Sequence, residues 1–192
     1  MNRTQQKICT ATKLVVVAHP FNQVNVSAIM AAAGLRRQTF YDYFRDKYDV
    51  LGFIYREEVA AAATYCRHYA YWPQTLRSML RYFDANRAFY QRVLTLDMQN
   101  APANVIQAHL RTTIGDVLAD MQSTEHIHLA PAYVQFIQSV QSVALLAALQ
   151  EWIGAAEPVT LAVENARLYR YLQDGLNGLA HSARATRVTL IK

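Results

Sequence analysis

The chain has 192 residues, 53% of them apolar and only 17% charged, so it holds enough apolar material for one or two small domains with a real core and is not a disordered polymer. Glycine and proline are scarce, at 6 and 5, while Ala and Leu abound, which favours helix throughout; two cysteines, Cys9 and Cys66, exclude a disulfide framework and fit a reducing cytoplasm. The net charge is +5, and residues 1–50 hold seven Lys and Arg against three Asp and Glu, so +4 of it sits on the first quarter of the chain, where it would attract a phosphate backbone.

In chain order, residues 3–18 predict a first helix. The run Val15 to Val17 would suit a strand, but Ile8, Ala11, Val15 and Ala18 keep helical spacing. Next come two short helical patterns joined by one glycine. Val26, Ile29, Met30 and Ala33 form an apolar stripe, with Asn25 placed to cap it and Gly34 to end it in a left-handed turn. Leu35 plugs that turn. Phe40 and Phe44, four apart, are expected to point inward. Arg37, Gln38, Thr39, Tyr41 and Tyr43 then face outward or sideways. A helix–Gly–helix pattern by itself also describes an ordinary helical hairpin in an all-α core. Here the outward residues suit guanine, adenine, thymine methyl and phosphate contacts, and Lys47 begins the next helix within reach of the same phosphates.

The stretch GLRRQTFYDYFRDKYDVL (residues 34–51) resembles the TetR-type repressors. Their pattern is a Gly-containing turn, then a short helix ending in aromatic-Tyr-x-aromatic-Phe, then x-x-Lys and an apolar pair. Upstream, FNQVNVSAIM (residues 21–30) matches the family's Phe-x-x-x-Thr-Val-x-x-Ile start of the second helix. The resemblance covers about the first quarter of the chain. It implies that Gln38, Thr39 and Tyr43 take the base-reading or groove-contacting places, and that Tyr41 and Lys47 take phosphate-contacting ones. Asn25 stands where the family usually has Thr, which keeps the cap. Arg36 stands where many members have Ser or Thr, which loses a cap and adds a cation at the groove. The RRQTFY form is similar to a subgroup that includes regulators of dihydroxyacetone kinase operons.

A fourth helix is expected from Asp46, its cap, to about residue 70, linking the DNA-reading head to the rest as a rod. TrpProGln at 72–74 is the clearest break, because Pro73 disfavours helix in the residue before it. The expected domains are therefore a helix-turn-helix head at 1–50, with the fourth helix as connector, and a dimerisation and effector-binding body at 74–185. Four longer helices are predicted in that body, over about 75–96, 102–122, 131–153 and 158–180, with Pro102, Pro131 and Pro158 near three of the starts and Gly154 closing the third.

The last two helices read as a dimer surface. Ala144, Leu145, Ala148, Leu149 and Trp152 are assigned to it on one helix, and Leu168, Tyr171, Leu172 and Leu176 on the other. Some of these must also pack within the subunit. A two-fold operator needs a two-fold protein, and the resemblance implies a four-helix bundle built from two subunits. The aromatics of the middle helices, Trp72 and Trp152 among them, are core or the walls of an effector cavity. The cavity reading takes Tyr65, Tyr69, Tyr82, Phe83, Phe89, Tyr90, Tyr133 and Phe136, with Arg92, His109 and Gln135 as candidate polar tips.

The run GluHisIleHis at 125–128 has the spacing to chelate a transition ion, yet no Cys pair or third His is near, and a surface loop is the better reading. No phosphate loop, nucleophile elbow or zinc-protease pattern is present, so an enzyme has no residues to stand on, and no metal or cofactor is called for. No signal pattern is visible, and the longest uninterrupted apolar run, Val143–Leu149, is too short for a bilayer, which points to the cytosol without a membrane partner. The expected protein is an all-α homodimeric transcription regulator, in the main a repressor. It would bind duplex operator DNA and be released by a small apolar or amphipathic effector. The alternative is a body that serves as a protein-interaction module, with a partner regulator sensing the metabolite.

Overall fold

The computed structural model describes residues 1–63, 68–96 and 102–189, and the chain is all-α. Among the described residues there are nine helices: α1 (Arg3–Ala18), α2 (Val26–Ala33), α3 (Gln38–Tyr41), α4 (Lys47–Ala63), α5 (Trp72–Ala85), α6 (Arg87–Val93), α7 (Pro102–Thr124), α8 (Pro131–Gly154) and α9 (Leu161–Thr189). Two compact units result: Met1–Ala61 with Ala85–Ile106, and Ala62–Asp84 with Gln107–Lys192.

In the first unit, α1 begins with a reciprocal cap. Asn2 Oδ1 accepts from the Gln5 N–H and Gln5 Oε1 accepts from the Asn2 N–H, both at 2.9 Å. Ile8, Cys9, Ala11, Val15 and Val16 form its buried stripe, against which α2 and α6 pack. The Cys9 thiol is pushed up to about 12 by burial, with the Glu58 carboxylate adding to the effect, so it stays a protonated core group. Cys66 lies outside the described residues. Lys13 ties three segments of this unit together: its ammonium bonds the Glu58 carboxylate on α4 and donates to Asn86 Oδ1 at 2.9 Å.

Asn86 is also where the structure departs from the expected single helix over 75–96. Its backbone leaves helical geometry (φ −113°, ψ 23°), which separates α5 from α6 and leaves α6 with the first unit. Pro73 acts as a start and not as a break, because it sits in the first turn of α5, where a missing N–H leaves no helical bond unmade. The expected fourth helix is described over Lys47–Ala63.

The second unit is built from α5, α7, α8 and α9, with Phe83, Leu118, Met121, Leu149, Trp152 and Ile153 in its core. At the α8–α9 turn, Trp152 Nε1 donates to the Val159 carbonyl at 2.9 Å. By length and composition α8 is apolar enough to cross a membrane. The uninterrupted run Val143–Leu149 understated this, because uncharged Gln and Ser interrupt a longer apolar helix. One face of α8 carries Ile137, Leu145, Leu146, Leu149 and Trp152 into the core. The other leaves Tyr133, Phe136, Val140 and Val143 exposed.

Glu164 is buried in the first turn of α9. Burial lifts its carboxyl above the usual range, Arg167 (3.8 Å away) opposes the shift and Glu151 adds to it. A folded pKa above the unfolded one means that the native state favours the proton. The favourable contribution is therefore complete below the unfolded pKa and lost as pH rises through the folded one. Glu164→Gln is expected to raise Tm at pH 7 and to change it little in acid; a lower Tm at pH 7 in thermal melts would contradict this.

Candidate nucleic-acid interface

The turn between α2 and α3 is fixed by backbone chemistry. Asn25 Oδ1 accepts from the Ala28 N–H at 2.9 Å and caps α2. Gly34 closes it with φ +65°, the left-handed conformation that glycine adopts without strain. The Leu35 N–H then reaches the Met30 carbonyl at 3.0 Å and the Gly34 N–H reaches Ala31 at 3.1 Å, the paired bonds of a Schellman ending. α3 is a single turn whose N-cap residue, Arg37, makes no side-chain capping bond. Its rigidity comes from behind. Phe40 is 0% exposed and Phe44 3%, with their ring centroids 5.6 Å apart, and Phe44 meets Phe53 of α4 edge-on at 5.1 Å.

On the opposite side the structure presents Arg36, Arg37, Gln38, Tyr41 and Tyr43 to solvent, with Thr39 half-buried. Arg37 Nη2 donates to the Tyr41 hydroxyl at 3.3 Å, four residues along, so cation and phenol are held side by side. The α4 start is rigid as well: Asp46 Oδ1 accepts from the Tyr48 and Asp49 N–H groups at 2.8 Å, while Asp49 accepts from the Arg45 N–H at 3.1 Å.

Lys47 is half-buried. Its ammonium donates to the Phe21 carbonyl at 3.0 Å and the Val24 carbonyl at 2.8 Å and lies 4.3 Å from the Phe21 ring centroid. Burial lowers its pKa. Sequence reasoning placed Lys47 on phosphate and missed this clamp between α4 and the segment leading into α2. Lys47→Met is expected to lower Tm and to weaken binding to every duplex. In titrations at several salt concentrations, a slope of log K against log salt shallower by about 0.9 would record a phosphate contact as well, and an unchanged slope would leave the clamp alone.

The described residues assigned to an effector pocket are divided between the two units. Phe89 and Tyr90 are buried in the first unit and Phe83 in the core of the second, while Tyr65 lies outside the described residues. Tyr69 and Tyr82 are half-buried, Arg92 and Gln135 exposed, and His109 is half-buried with its imidazole pKa lowered by burial. Tyr133 and Phe136 stack on each other at the exposed start of α8. The apolar cavity of the second unit is elsewhere. It has a volume of about 80 Å³ and is walled by Trp72, Met79, Leu110, Ile114, Leu145 and Leu176. Its signal in the sequence was the apolar spacing of α7, where Leu110, Ile114, Val117, Leu118 and Met121 share a face.

Of the assigned dimer residues, Leu145, Leu149, Trp152, Leu168 and Leu176 point into their own subunit. Ala144 and Tyr171 are exposed, and Ala148 and Leu172 half-buried. In the loop before α8, Glu125 bonds Arg184, and among the described residues no three His, Cys, Asp or Glu side chains converge as a metal site.

The family described as bacterial regulatory proteins, tetR family, matches residues 8–52, and a transcriptional regulator C-terminal region matches residues 70–174. A curated relative, the HTH-type dhaKLM operon transcriptional activator DhaS of Lactococcus lactis subsp. lactis (strain IL1403), is 30% identical over 150 residues, spanning 78% of this chain and 79% of the relative. Among solved structures, the dihydroxyacetone kinase operon activator DhaS superposes with a TM-score of 0.74 at 26% identity, covering 91% of this chain and 97% of its own. The fatty acid degradation regulator FadR from Bacillus halodurans gives 0.69 at 19% identity, over 93% and 97%, a likeness of fold alone. The two matched regions take in the helix-turn-helix and most of the C-terminal unit, and the chain belongs to the TetR family of transcriptional regulators.

Proposed function

We propose that the protein binds a near-palindromic operator as a homodimer in the cytoplasm, with α3 of each subunit in the major groove. The observation that carries this is the polar face Arg36, Arg37, Gln38, Thr39, Tyr41 and Tyr43, braced from behind by Phe40 and Phe44. Gln38, Thr39 and Tyr43 read base edges. Arg36, Tyr41 and the remaining N–H of Lys47 serve phosphates. Dimerisation is supported by α8, whose exposed Tyr133, Phe136, Val140 and Val143 leave it apolar on both faces, a pattern that calls for a covering partner. The DhaS relative is named an activator, which favours activation over the repression that the family's common behaviour suggested.

An effector bound in the C-terminal unit would change the spacing of the two recognition helices, provided that it prefers one spacing. A second reading rests on the cavity, which at about 80 Å³ lies well below the usual range for drug-sized ligands. In that reading a partner regulator senses the metabolite and docks on the C-terminal unit.

Selection from a random duplex library tests the core of the proposal. Recovery of a two-fold symmetric motif is expected, and failure to bind any duplex at low salt would end it.

A further inference from the structure

Residues 36–45 hold three arginines and one acid, Asp42. A carboxylate has the wrong charge for a surface laid against phosphates. Helical geometry runs past the end of α3. Asp42 keeps it (φ −72°, ψ −18°), and the Phe44 N–H reaches the Phe40 carbonyl, four residues back, at 2.9 Å. At about 100° per residue this puts Asp42 on the side opposite the buried Phe40 and Phe44, in line with Gln38 one turn earlier. Asp42 is exposed, as are Tyr41 and Tyr43 beside it.

The two acids that follow have work inside the fold. Asp46 accepts from the Tyr48 and Asp49 N–H groups and Asp49 from the Arg45 N–H. Among the described residues the Asp42 carboxylate has no hydrogen-bond or ion-pair partner. At the C-cap of α3 it also gains nothing from the helix, whose carbonyl end favours cations. Its charge is thus spent on neither the turn nor the helix, and it stands at the centre of the outward face.

We propose that Asp42 is a specificity-determining residue that reads cytosine. Its carboxylate accepts from the N4 amino group of one C·G pair in each half-site and repels duplex where no such donor faces it. This rests on the placement of α3 in the major groove under the proposed function. The groove edge decides the base. Guanine presents N7 and O6, and thymine O4 and a methyl, so neither has a hydrogen to give a carboxylate. The adenine N6 amino group lies between two acceptors, its own N7 and the thymine O4, which meet a carboxylate with like partial charge. Cytosine N4 has an acceptor, the guanine O6, on one side only. The same charge is repelled by phosphates on any sequence, so a duplex that lacks the cytosine meets a penalty with nothing to offset it.

The test starts from the operator that the full-length protein selects from a random duplex library. The wild type should hold one C·G pair of each half-site about tenfold tighter than other pairs there, the share of one hydrogen bond to a charged group. Asp42→Ala should level that preference. Asp42→Asn should move it to A·T, because an Asn carboxamide bonds both N6 and N7 of adenine. Both variants should bind unrelated duplex more tightly than the wild type and with a steeper salt dependence, one repelled charge having been removed. Replacing the cytosine with 2-pyrimidinone, which lacks the N4 amino group, isolates the atom: the wild type should lose about tenfold more than Asp42→Ala, in which any effect on base pairing remains. A preference unchanged in both variants, or equal weakening on every duplex, would overturn the role of Asp42 and leave operator binding in place. A wild type that selects no motif would remove both.

Discussion

Val143→Glu is expected to turn the proposed dimer into a folded monomer and to weaken operator binding by about 10²–10⁴, the advantage that two linked half-sites have over one. Val143 is 54% exposed on α8 and Phe136, seven residues before it, 61%, so neither is needed for the subunit's own core. A carboxylate there is hydrated in the monomer and loses that hydration when a second subunit covers it, which is why charges are depleted at the centres of interfaces. Sedimentation should show the monomer, a thermal melt should be nearly unchanged, and anisotropy with labelled operator should show the loss. A dimer that survives Val143→Glu would place the interface off the exposed face of α8. Ala148→Glu, the choice suggested by small residues in the sequence, is a poorer test because Ala148 is half-buried in its own subunit.

That contrast shows where sequence reading ran out. Spacing alone located α1, α2, the Gly34 ending, the inward Phe40 and Phe44 and the outward Gln38, because each is set by local chemistry within four residues. α8 was located too, but not which of its faces turns to the core. It has apolar residues all round, so periodicity cannot separate Leu145, Leu149 and Trp152, which face the subunit core, from Tyr133, Phe136, Val140 and Val143, which do not. The cavity was missed for a related reason. Aromatic residues are the conspicuous cavity signal of the sequence, yet the space is lined mainly by Leu, Ile, Val and Met from four helices far apart in sequence, with Trp72 as its single aromatic. Lys47 was seen as a surface cation because its partners are carbonyls of Phe21 and Val24, and a sequence does not display backbone acceptors.

Gln38→Ala and Thr39→Ala are expected to relax sequence preference by about 1–3 kcal/mol each at individual base pairs, while leaving affinity for unrelated duplex nearly as it was. Gln38 is exposed at the first turn of α3 and can present its carboxamide to both the N6 and N7 edges of an adenine. Thr39, half-buried, offers a methyl to a thymine. Neither is charged, so neither releases counterions, and the salt dependence should not move. Arg36→Ala is the contrasting case: its guanidinium should contribute to every duplex alike, and its loss should flatten the salt slope by about 0.9 if it contacts a phosphate. Binding measured against the operator, single-base variants and random duplex separates the two roles. Equal weakening on all sequences by Gln38→Ala would strip it of base reading, because a side chain that reads an edge is felt only where that edge is present. The comparison is interpretable because the buried Phe40 and Phe44, not Gln38 or Thr39, hold α3 in place, so truncating the outward residues changes what the helix says to DNA without changing where it stands.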